Sequence, residues 1–464
     1  MTGQNAPAMR FSAWVGLAVL VFSLCEGRAH AAEAALPETK LPNGLRVVLD
    51  ENHRVPVVSV TVRYAVGAGS DPDDRNGLSE LVARMMAQRT QHVPENGFDD
   101  TFDRVGGTWG FDSNVDDTEF YARIPANALE TAFWLFSDQM GFFKPIIDDA
   151  SIAHQLQIFS ADRGQRVANA PMGLVNELVP GELYPALHPY RHVARAGDAA
   201  GLASLTSAEL GAFVDKYFVP SNAVMVVVGD AKLDQVTALA NKWFGSIPAG
   251  APPTPVSMPT PTLKNEIHLD IAARVERPVV RMTWLTPAEY APGDAELDVV
   301  AGILHGNRIA RLSWELITKL KVAGDISARQ SSHRRSSTFV ITATATPTHT
   351  AQQVADAIDD VLRTLQASQP PSEDDMEGSL ASALMERTLS MESSEYRARQ
   401  LAAWMIRAGT ADYWQNDMHR YETDPARVQG AAQRYLPLDK RVVAFITPSA
   451  TAPVSGQLIA RKVK

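Results

Sequence analysis

The sequence KYFVP at residues 216–220 is followed by an apolar run at 223–228, and the chain contains a second copy of this arrangement. Residues 433–437 read QRYLP, and a second apolar run follows at 441–446. A helical stretch precedes each of these segments, with Thr206 and Asp424 (or Thr423) at the positions expected of N-caps. The apolar runs have the length and composition of buried strands. One structural unit is therefore predicted to occur twice in the chain.

The middle of each half indicates the same duplication. Residues 118–125 alternate like a half-buried strand before a helical pattern at 128–140, and residues 338–347 and 351–365 repeat that order. Strands followed by helices, without regular β–α–β alternation, favour an α+β layer fold. Two similar α+β domains are therefore predicted. The alternative is a chance similarity between two helix–proline–strand endings.

A proline-rich segment separates the two predicted domains. Five prolines fall between residues 250 and 262, and this density is incompatible with a helix or a central strand. We therefore expect a first domain at residues 33–249, a linker at 250–262 and a second domain at 263–464.

Residues 1–32 have the features of a secretory signal peptide. Arg10 precedes an apolar run at 11–24, and the small residues Ala29 and Ala31, two positions apart, predict cleavage near Ala31 or Ala32. Cys25 is the only cysteine, and the bulky Leu24 before it argues against lipid anchoring. We expect a periplasmic or secreted mature chain without disulfides. No membrane span is predicted, since no later stretch is long and apolar enough.

The composition argues against nucleic acid as a partner. The 43 basic and 53 acidic residues give a formal charge of −10, spread along the chain. A hydrophobic content of 45% is typical of a globular protein that buries a large core.

A series of short segments resembles the pitrilysin/insulinase peptidases, family M16. In chain order they include LPNGLRV at 41–47, VGAGSD at 66–71, NGLS at 76–79, GG at 106–107, HPY at 188–190 and WFG at 243–245. Their number, order and spacing carry the resemblance, which extends over residues 37–447. It implies two domains of the M16 type (LuxS/MPP-like metallohydrolase), each an antiparallel-rich sheet packed with helices, and a zinc metalloendopeptidase ancestry.

The resemblance also implies a zinc motif, H-x-x-E-H, on the helix after the Gly77-Leu78 turn. Histidines four residues apart share one helix face, and the glutamate acts as general base. In this chain Glu80 takes the place of the first histidine, Ala83 that of the base and Arg84 that of the second histidine. The third-ligand position corresponds to Asp162, or to Arg163 if the alignment shifts by one residue, and Gln155 replaces a supporting glutamate.

These replacements predict neither a catalytic residue nor a zinc site. A guanidinium stays protonated, alanine accepts no proton, and two carboxylates without imidazole bind zinc poorly. Glu80 and Arg84 have the favourable i,i+4 order for an ion pair. We therefore hypothesise that Glu80, Arg84 and Asp162 form a salt bridge where the metal would lie. The alternative is that Glu80 and Arg84 face solvent.

Two further sequence features, a pair of histidines and a strand edge, bear on function. His188 and His192 are four residues apart, but Pro189 between them favours a loop over a metal site. Peptides bind many M16 proteins by adding a strand to a sheet edge, and the resemblance places that edge at Gly107, Gly110 and Phe111. An ordinary half-buried strand is the alternative.

In two-chain members of the family, a zinc subunit pairs with a partner that lacks zinc and supplies an arginine and a tyrosine. Ile317 and Gly324 stand at those positions here. Arg308 and Arg311 are nearby substitutes. This chain therefore departs from the expected pattern of the partner as well.

Three functions remain open at this point. The first is a non-catalytic subunit that pairs with a zinc-bearing M16 homologue, or with itself, around peptide substrates. The second is a stand-alone peptide-binding or scaffold protein. The third is an active zinc metalloendopeptidase with unusual ligands.

Overall fold

The computed structural model describes residues 35–191, 199–251, 253–254 and 261–464. The predicted signal peptide and most of the proline-rich segment lie outside the described residues. Within the described part of the chain, no helix is long and apolar enough to cross a membrane.

The first domain is built on a six-stranded sheet. Its strands are β1 (Glu38–Lys40), β2 (Arg46–Glu51), β3 (Val57–Tyr64), β4 (Thr108–Ser113), β5 (Thr118–Pro125) and β6 (Ala223–Gly229). They are arranged in the order β1-β2-β6-β3-β5-β4, and β2 with β6 is the one parallel pair of this sheet. Every residue of the valine-rich β6 is buried, as expected of a strand covered on both faces.

The described residues of the first half form eight α-helices. They are α1 (Leu78–Gln88), α2 (Gly97–Val105), α3 (Leu129–Phe142), α4 (Asp149–Arg163), α5 (Gly173–Leu183), α6 (Ala199–Leu202), α7 (Ser207–Tyr217) and α8 (Leu233–Phe244). A π-helical turn at Gly164–Ala168 continues α4. The main core of this domain lies between one face of the sheet and α1, α2, α3, α7 and α8.

The second domain repeats this plan. Its strands are β7 (Ile267–Ala273), β8 (Val279–Thr286), β9 (Ala323–Ser331), β10 (Ser337–Ala345), β11 (Val442–Pro448) and β12 (Gln457–Val463). Its α-helices are α9 (Asp294–His305), α10 (Ala351–Arg363), α11 (Glu373–Met391), α12 (Ser394–Arg407), α13 (Trp414–His419) and α14 (Pro425–Tyr435). A π-helical segment spans Ser313–Lys319.

The strand order confirms the predicted duplication. The second sheet runs β12-β7-β11-β8-β10-β9, and its one parallel pair, β7 with β11, occupies the place of β2 with β6. Both predicted N-caps are present: Thr206 accepts from the backbone of Glu209 at 3.2 Å, and Asp424, not Thr423, accepts from Arg427 at 2.9 Å. The duplicated unit is therefore a six-stranded sheet with four antiparallel strand pairs and one parallel pair. Helices pack on this sheet, which makes the unit an α+β fold.

Each domain lends one helix to the other. Val175 and Val179 of α5 pack on β7 and β11 of the second sheet. In return Leu401 and Trp404 of α12 pack on β2 and β6 of the first sheet. Because the outer face of each sheet is covered by a helix of the other half, the two domains share buried apolar surface on both sides of their junction.

A buried ionic network also joins the domains. Asp117, fully buried in the first domain, accepts from Arg63 at 2.6 Å and from Arg407 of α12 at 3.0 Å. Arg407 also donates to Glu289 at 2.9 Å. Burial opposes ionisation of Asp117, yet the guanidinium groups of Arg63 and Arg407 hold the pKa of this carboxyl below its usual value.

Candidate functional site

The start of α1 is fixed by a buried carboxylate. Asp71 accepts hydrogen bonds from the backbone N–H groups of Gly77 at 2.7 Å and Ser79 at 2.9 Å. Gly77 has a φ of 89°, which a residue with a Cβ adopts at a cost. This arrangement sets the rotation of α1, so that Glu80 and Arg84 lie on the side next to α4.

Glu80, Arg84 and Asp162 lie together. Nη2 of Arg84 donates to Glu80 Oε1 at 2.9 Å and to Asp162 Oδ2 at 2.6 Å. The guanidinium carbon of Arg84 also lies 5.5 Å from the ring centre of Phe159 on α4. Arg84 is therefore held between two carboxylates from two helices.

A fourth residue completes this group. Arg166, in the π-helical turn after α4, donates to Glu80 Oε1 at 3.0 Å and its Nε lies 3.2 Å from Asp162 Oδ2. We call Glu80, Arg84, Asp162 and Arg166 the ion-pair cluster. Its two positive and two negative charges cancel. The sequence analysis missed Arg166, although its i,i+4 spacing from Asp162 was a signal.

The neighbouring positions show which register the helices adopt. Arg163, the alternative match for the third ligand, forms an ion pair with Glu177 of α5 instead. Gln155 is buried and donates to Gln88 of α1, while His154 is exposed on α4. Ala83 is fully buried in the main core.

The zinc implied by the family resemblance does not fit these residues. The described residues contain no group of three or more histidine, cysteine, aspartate or glutamate side chains placed to hold a metal ion. The guanidinium of Arg84 occupies the space between the two carboxylates, and each carboxylate already pairs with two arginines. The methyl group of Ala83 cannot take a proton. No step of hydrolysis can be built from this set.

Strand β4, which holds Gly110 and Phe111, lies at an edge of the first sheet. It pairs with β5, and among the described residues no strand pairs with its other side. Gly107 precedes it in a tight connection: a Cβ there would lie 2.6 Å from the side chain of Ile124. A Cβ at Gly110 would lie 2.7 Å from the hydroxyl of Tyr121. The edge therefore offers unpaired backbone groups, as strand addition requires.

The second domain contributes to this edge through Arg399 of α12. Its guanidinium carbon lies 4.2 Å from the ring centre of Tyr121, and its Nε donates to Glu119 at 2.7 Å. It also pairs with Asp112 of β4. One face of the edge strand is thus charged and aromatic, while Phe111 packs against Phe120 on the other.

The segment around Ile317 and Gly324 has arginines beside it: the guanidinium of Arg277 lies against Gly324, where a Cβ would be 2.5 Å from its Nη1. Arg311 is engaged, donating to Asp375 at 2.6 Å and to the backbone carbonyls of Gln369 and Pro370. Arg308 is exposed. Ile309 and Trp314 are exposed as well, with 78% and 51% of their surface accessible. This surface therefore carries apolar side chains beside the exposed Arg308.

His188 belongs to the junction between the domains, and His192 lies outside the described residues. The His188 ring stacks on Tyr184 at 4.5 Å and its Nδ1 accepts from the backbone of Tyr190 at 3.1 Å. Burial, together with the nearby Arg335, lowers the pKa of His188 to about 4. His188 is therefore a neutral structural histidine.

Acidification should destabilise the chain through His188. Its pKa is about 4 in the folded chain and about 6.5 when unfolded. The stability it contributes is therefore complete above pH 6.5 and is lost as the pH falls toward 4. At pH 5 the loss should be about 1–2 kcal/mol. Urea unfolding at pH 7 and pH 5 measures it. His188→Asn, which keeps an acceptor for Tyr190, should reduce the pH dependence, whereas the same change at exposed His154 should preserve it.

Loss of Arg84 should weaken the packing of α1 on α4. Arg84→Ala leaves Glu80 and Asp162 with Arg166 alone. Because the side chains of Arg84 and Asp162 are 27% and 32% exposed, solvent screening limits the cost to about 1–2 kcal/mol. Thermal unfolding should show a Tm lower by several degrees. Arg104→Ala, at an exposed site on α2, is the control, and an unchanged Tm for Arg84→Ala would rule out a stabilising role for the cluster.

Comparisons with known proteins identify the same family that the sequence motifs resemble. The family model described as "Insulinase (Peptidase family M16)" matches residues 46–186, and that described as "Peptidase M16 inactive domain" matches residues 204–382. The zinc protease PqqE of Helicobacter pylori is 25% identical over 350 residues, covering 73% of this chain and 77% of the relative. The uncharacterised zinc protease YmxG of Bacillus subtilis is 24% identical over 417 residues, covering 89% and 98%.

Solved structures resemble the whole two-domain arrangement. A protease from Helicobacter pylori superimposes with a TM-score of 0.81 at 20% identity, covering 89% of this chain and 99% of that one. The first half of the periplasmic protease PqqL from Escherichia coli gives a TM-score of 0.72 at 15% identity, covering 89% and 92%. At sequence identities of 15–20%, these similarities show the fold and not the activity. With both family models matched in order along the chain, the protein belongs to peptidase family M16, the pitrilysin- and insulinase-like peptidases.

Proposed function

We propose that this chain is a non-catalytic M16 subunit that closes a peptide-binding chamber against a zinc-bearing homologue. The observation that carries the proposal is the ion-pair cluster. Its four side chains neutralise one another, and three of them stand at the positions that the family resemblance assigns to the metal ligands. A preserved scaffold around a replaced site favours a role in binding and assembly.

The proposal includes export and peptide binding. The leader-like residues 1–32 support a periplasmic or secreted location, and the mature domains would then be residues 33–249 and 263–464 joined by the linker at 250–262. The unpaired edge of β4 supports recognition of extended peptides through their backbone. Because the ion-pair cluster offers neither a metal site nor a general base, the partner would carry out the hydrolysis.

The test is purification of the tagged full-length chain from the soluble envelope fraction of its native host. The expected result is a stoichiometric M16 homologue with an intact H-x-x-E-H motif, together with peptidase activity that a chelator abolishes. The same preparation carrying Arg84→Ala should keep that activity, because the cluster takes no part in the chemistry.

A second candidate, a stand-alone peptide-binding or scaffold protein, is favoured by the free edge of β4, which needs no second chain to accept a strand. Recovery of the chain alone, or only with copies of itself, would reject the paired subunit and leave this candidate. Peptide binding by the isolated chain, measured by fluorescence anisotropy, would then support it.

A further inference from the structure

A polar cleft in the second domain is separate from the ion-pair cluster and from the peptide edge. It lies between α9, α11, α12 and α13 and encloses 140 Å³. A space of this size accepts a group about as large as benzene. Four carboxylates line it, from Glu289, Asp294, Asp298 and Asp417.

The charges around this cleft do not balance. Its lining includes three arginines and neither lysine nor histidine, and one of them, Arg407, is shared with Asp117 of the first domain, so at least one negative charge remains. Arg420 pairs with Asp294 at 2.8 Å and Asp417 at 3.0 Å. Arg407 pairs with Glu289, and Arg387 pairs with Asp417 at 2.7 Å.

The unbalanced charge falls on Asp298. This carboxylate accepts from the hydroxyl of Tyr421 at 2.6 Å, but the nearest guanidinium nitrogen, from Arg387, is 4.0 Å away. Its side chain is 30% accessible. Burial raises the pKa of Asp298 to about 6, so its charge at neutral pH is held at a cost that a bound cation would offset.

Aromatic rings and an unused donor complete the lining. Tyr290, Tyr396, Trp404 and Trp414 line the cleft, and aromatic walls beside a carboxylate attract organic cations. Trp404 is 2% exposed, and among the described residues nothing accepts a hydrogen bond from its indole N–H. Nothing there donates to Oε2 of Glu289 either. Such orphaned buried groups indicate a missing polar partner.

We propose that this cleft binds a small primary ammonium ion that carries a neighbouring oxygen, as in an amino-acid amide. The ammonium group would pair with Asp298 and Glu289 against the aromatic walls, and the oxygen would accept from the indole of Trp404. Inorganic cations and simple anions lack one half of this pattern. The inference does not depend on pairing with a zinc-bearing subunit.

Glycinamide is the probe, titrated into the full chain by calorimetry at pH 7.5. Saturable binding in the millimolar range is expected, with acetamide, its neutral counterpart, not binding. Asp298→Asn keeps an acceptor for Tyr421 and should weaken binding by about tenfold or more. The same change at exposed Asp374 on α11 should leave binding as in the wild type.

A second readout remains valid if Asp298→Asn proves unstable. The chain has eight tryptophans, so the indole N–H signal of Trp404 can be assigned in a ¹⁵N spectrum by comparison with Trp404→Phe. Glycinamide should shift that signal in the wild-type chain. Equal binding of triglycinamide would indicate an amine at a chain end as the source, and binding of glycinamide alone a free small amine. Absence of saturable binding, equal binding of acetamide, or an unmoved Trp404 signal would overturn the proposal.

Discussion

Arg407→Ala is expected to lower the free energy of unfolding by about 3–5 kcal/mol, which is a large share of the stability of an ordinary domain. The substitution removes one of the two guanidinium groups that face Asp117, a carboxylate with no exposed surface. It also leaves Glu289 unpaired next to it. Asp117 would keep only Arg63 and Glu289 would keep no arginine, and a buried carboxylate that loses its partner costs more than the pair gains. Arg407 is the last residue of α12, the helix that packs on the sheet of the first domain, so the contact between the domains should weaken first. Urea unfolding would measure the change in the free energy of unfolding.

Arg461→Ala is the matched control for Arg407→Ala. Arg461 of β12 also reaches across the domain junction, to Glu182 of α5 at 2.8 Å, but nearly half of its side chain is exposed. Its loss should change stability much less. Adding Asp117→Asn to Arg407→Ala should recover part of the loss, since it removes a buried charge that Arg63 alone would have to neutralise. Equal effects of the two arginine substitutions would show that burial of Asp117 does not dominate the junction.

The combined substitution E80H/R84H/R166Q should create a zinc site that we expect the wild type to lack. Two imidazoles four residues apart on α1 would lie beside Asp162, and removal of Arg166 frees that carboxylate. Two imidazoles and one carboxylate form a ligand set that zinc accepts, with an open fourth position. We expect about one zinc per chain. Zinc at 100 times its Kd should then raise stability by about 2.7 kcal/mol, reversibly with chelator.

E80A/R84A/R166Q is the control for the created site, because it removes the same charges without adding ligands. Neither variant should hydrolyse peptides, since Ala83 remains in the place of the general base. If the histidine variant folds, as judged by circular dichroism, but holds no more zinc than the alanine variant, then the three positions do not converge as the M16 arrangement requires.

The duplicated fold was predictable from the sequence because its signals are local. The aromatic–proline endings before β6 and β11, the caps Thr206 and Asp424, and the strand-then-helix order all depend on neighbours in the chain. The reciprocal placement of α5 and α12 was not predictable in this way. Both helices carry apolar residues on one side, and nothing in their own sequence says that they cover the other domain's sheet.

The ion-pair cluster was predictable in part. The i,i+4 order of Glu80 and Arg84 indicated a pair, and the family alignment brought Asp162 toward them. Arg166 was missed because its direction depends on the π-helical turn at Gly164–Ala168, which changes the rotation of the residues after α4. Arg163, directly before this turn, donates to Glu177 of α5 and does not reach α1.

The interdomain network and the cleft of the second domain could not be read from sequence spacing. Asp117, Glu289 and Arg407 are separated by more than a hundred residues each, and their contacts exist only once both domains are assembled. The excess charge on Asp298 likewise depends on which carboxylates the three arginines reach. Such features follow from tertiary packing and not from local pattern.

Metal analysis of the chain purified under non-chelating conditions, paired with a peptidase assay, would show whether this chain holds zinc and cleaves peptides. Inductively coupled plasma mass spectrometry should find far less than one zinc per chain, and added zinc should produce no chelator-sensitive cleavage of peptides. About one tightly held zinc per chain, with activity that a chelator removes and zinc restores, would contradict the account and make this chain a working metallopeptidase.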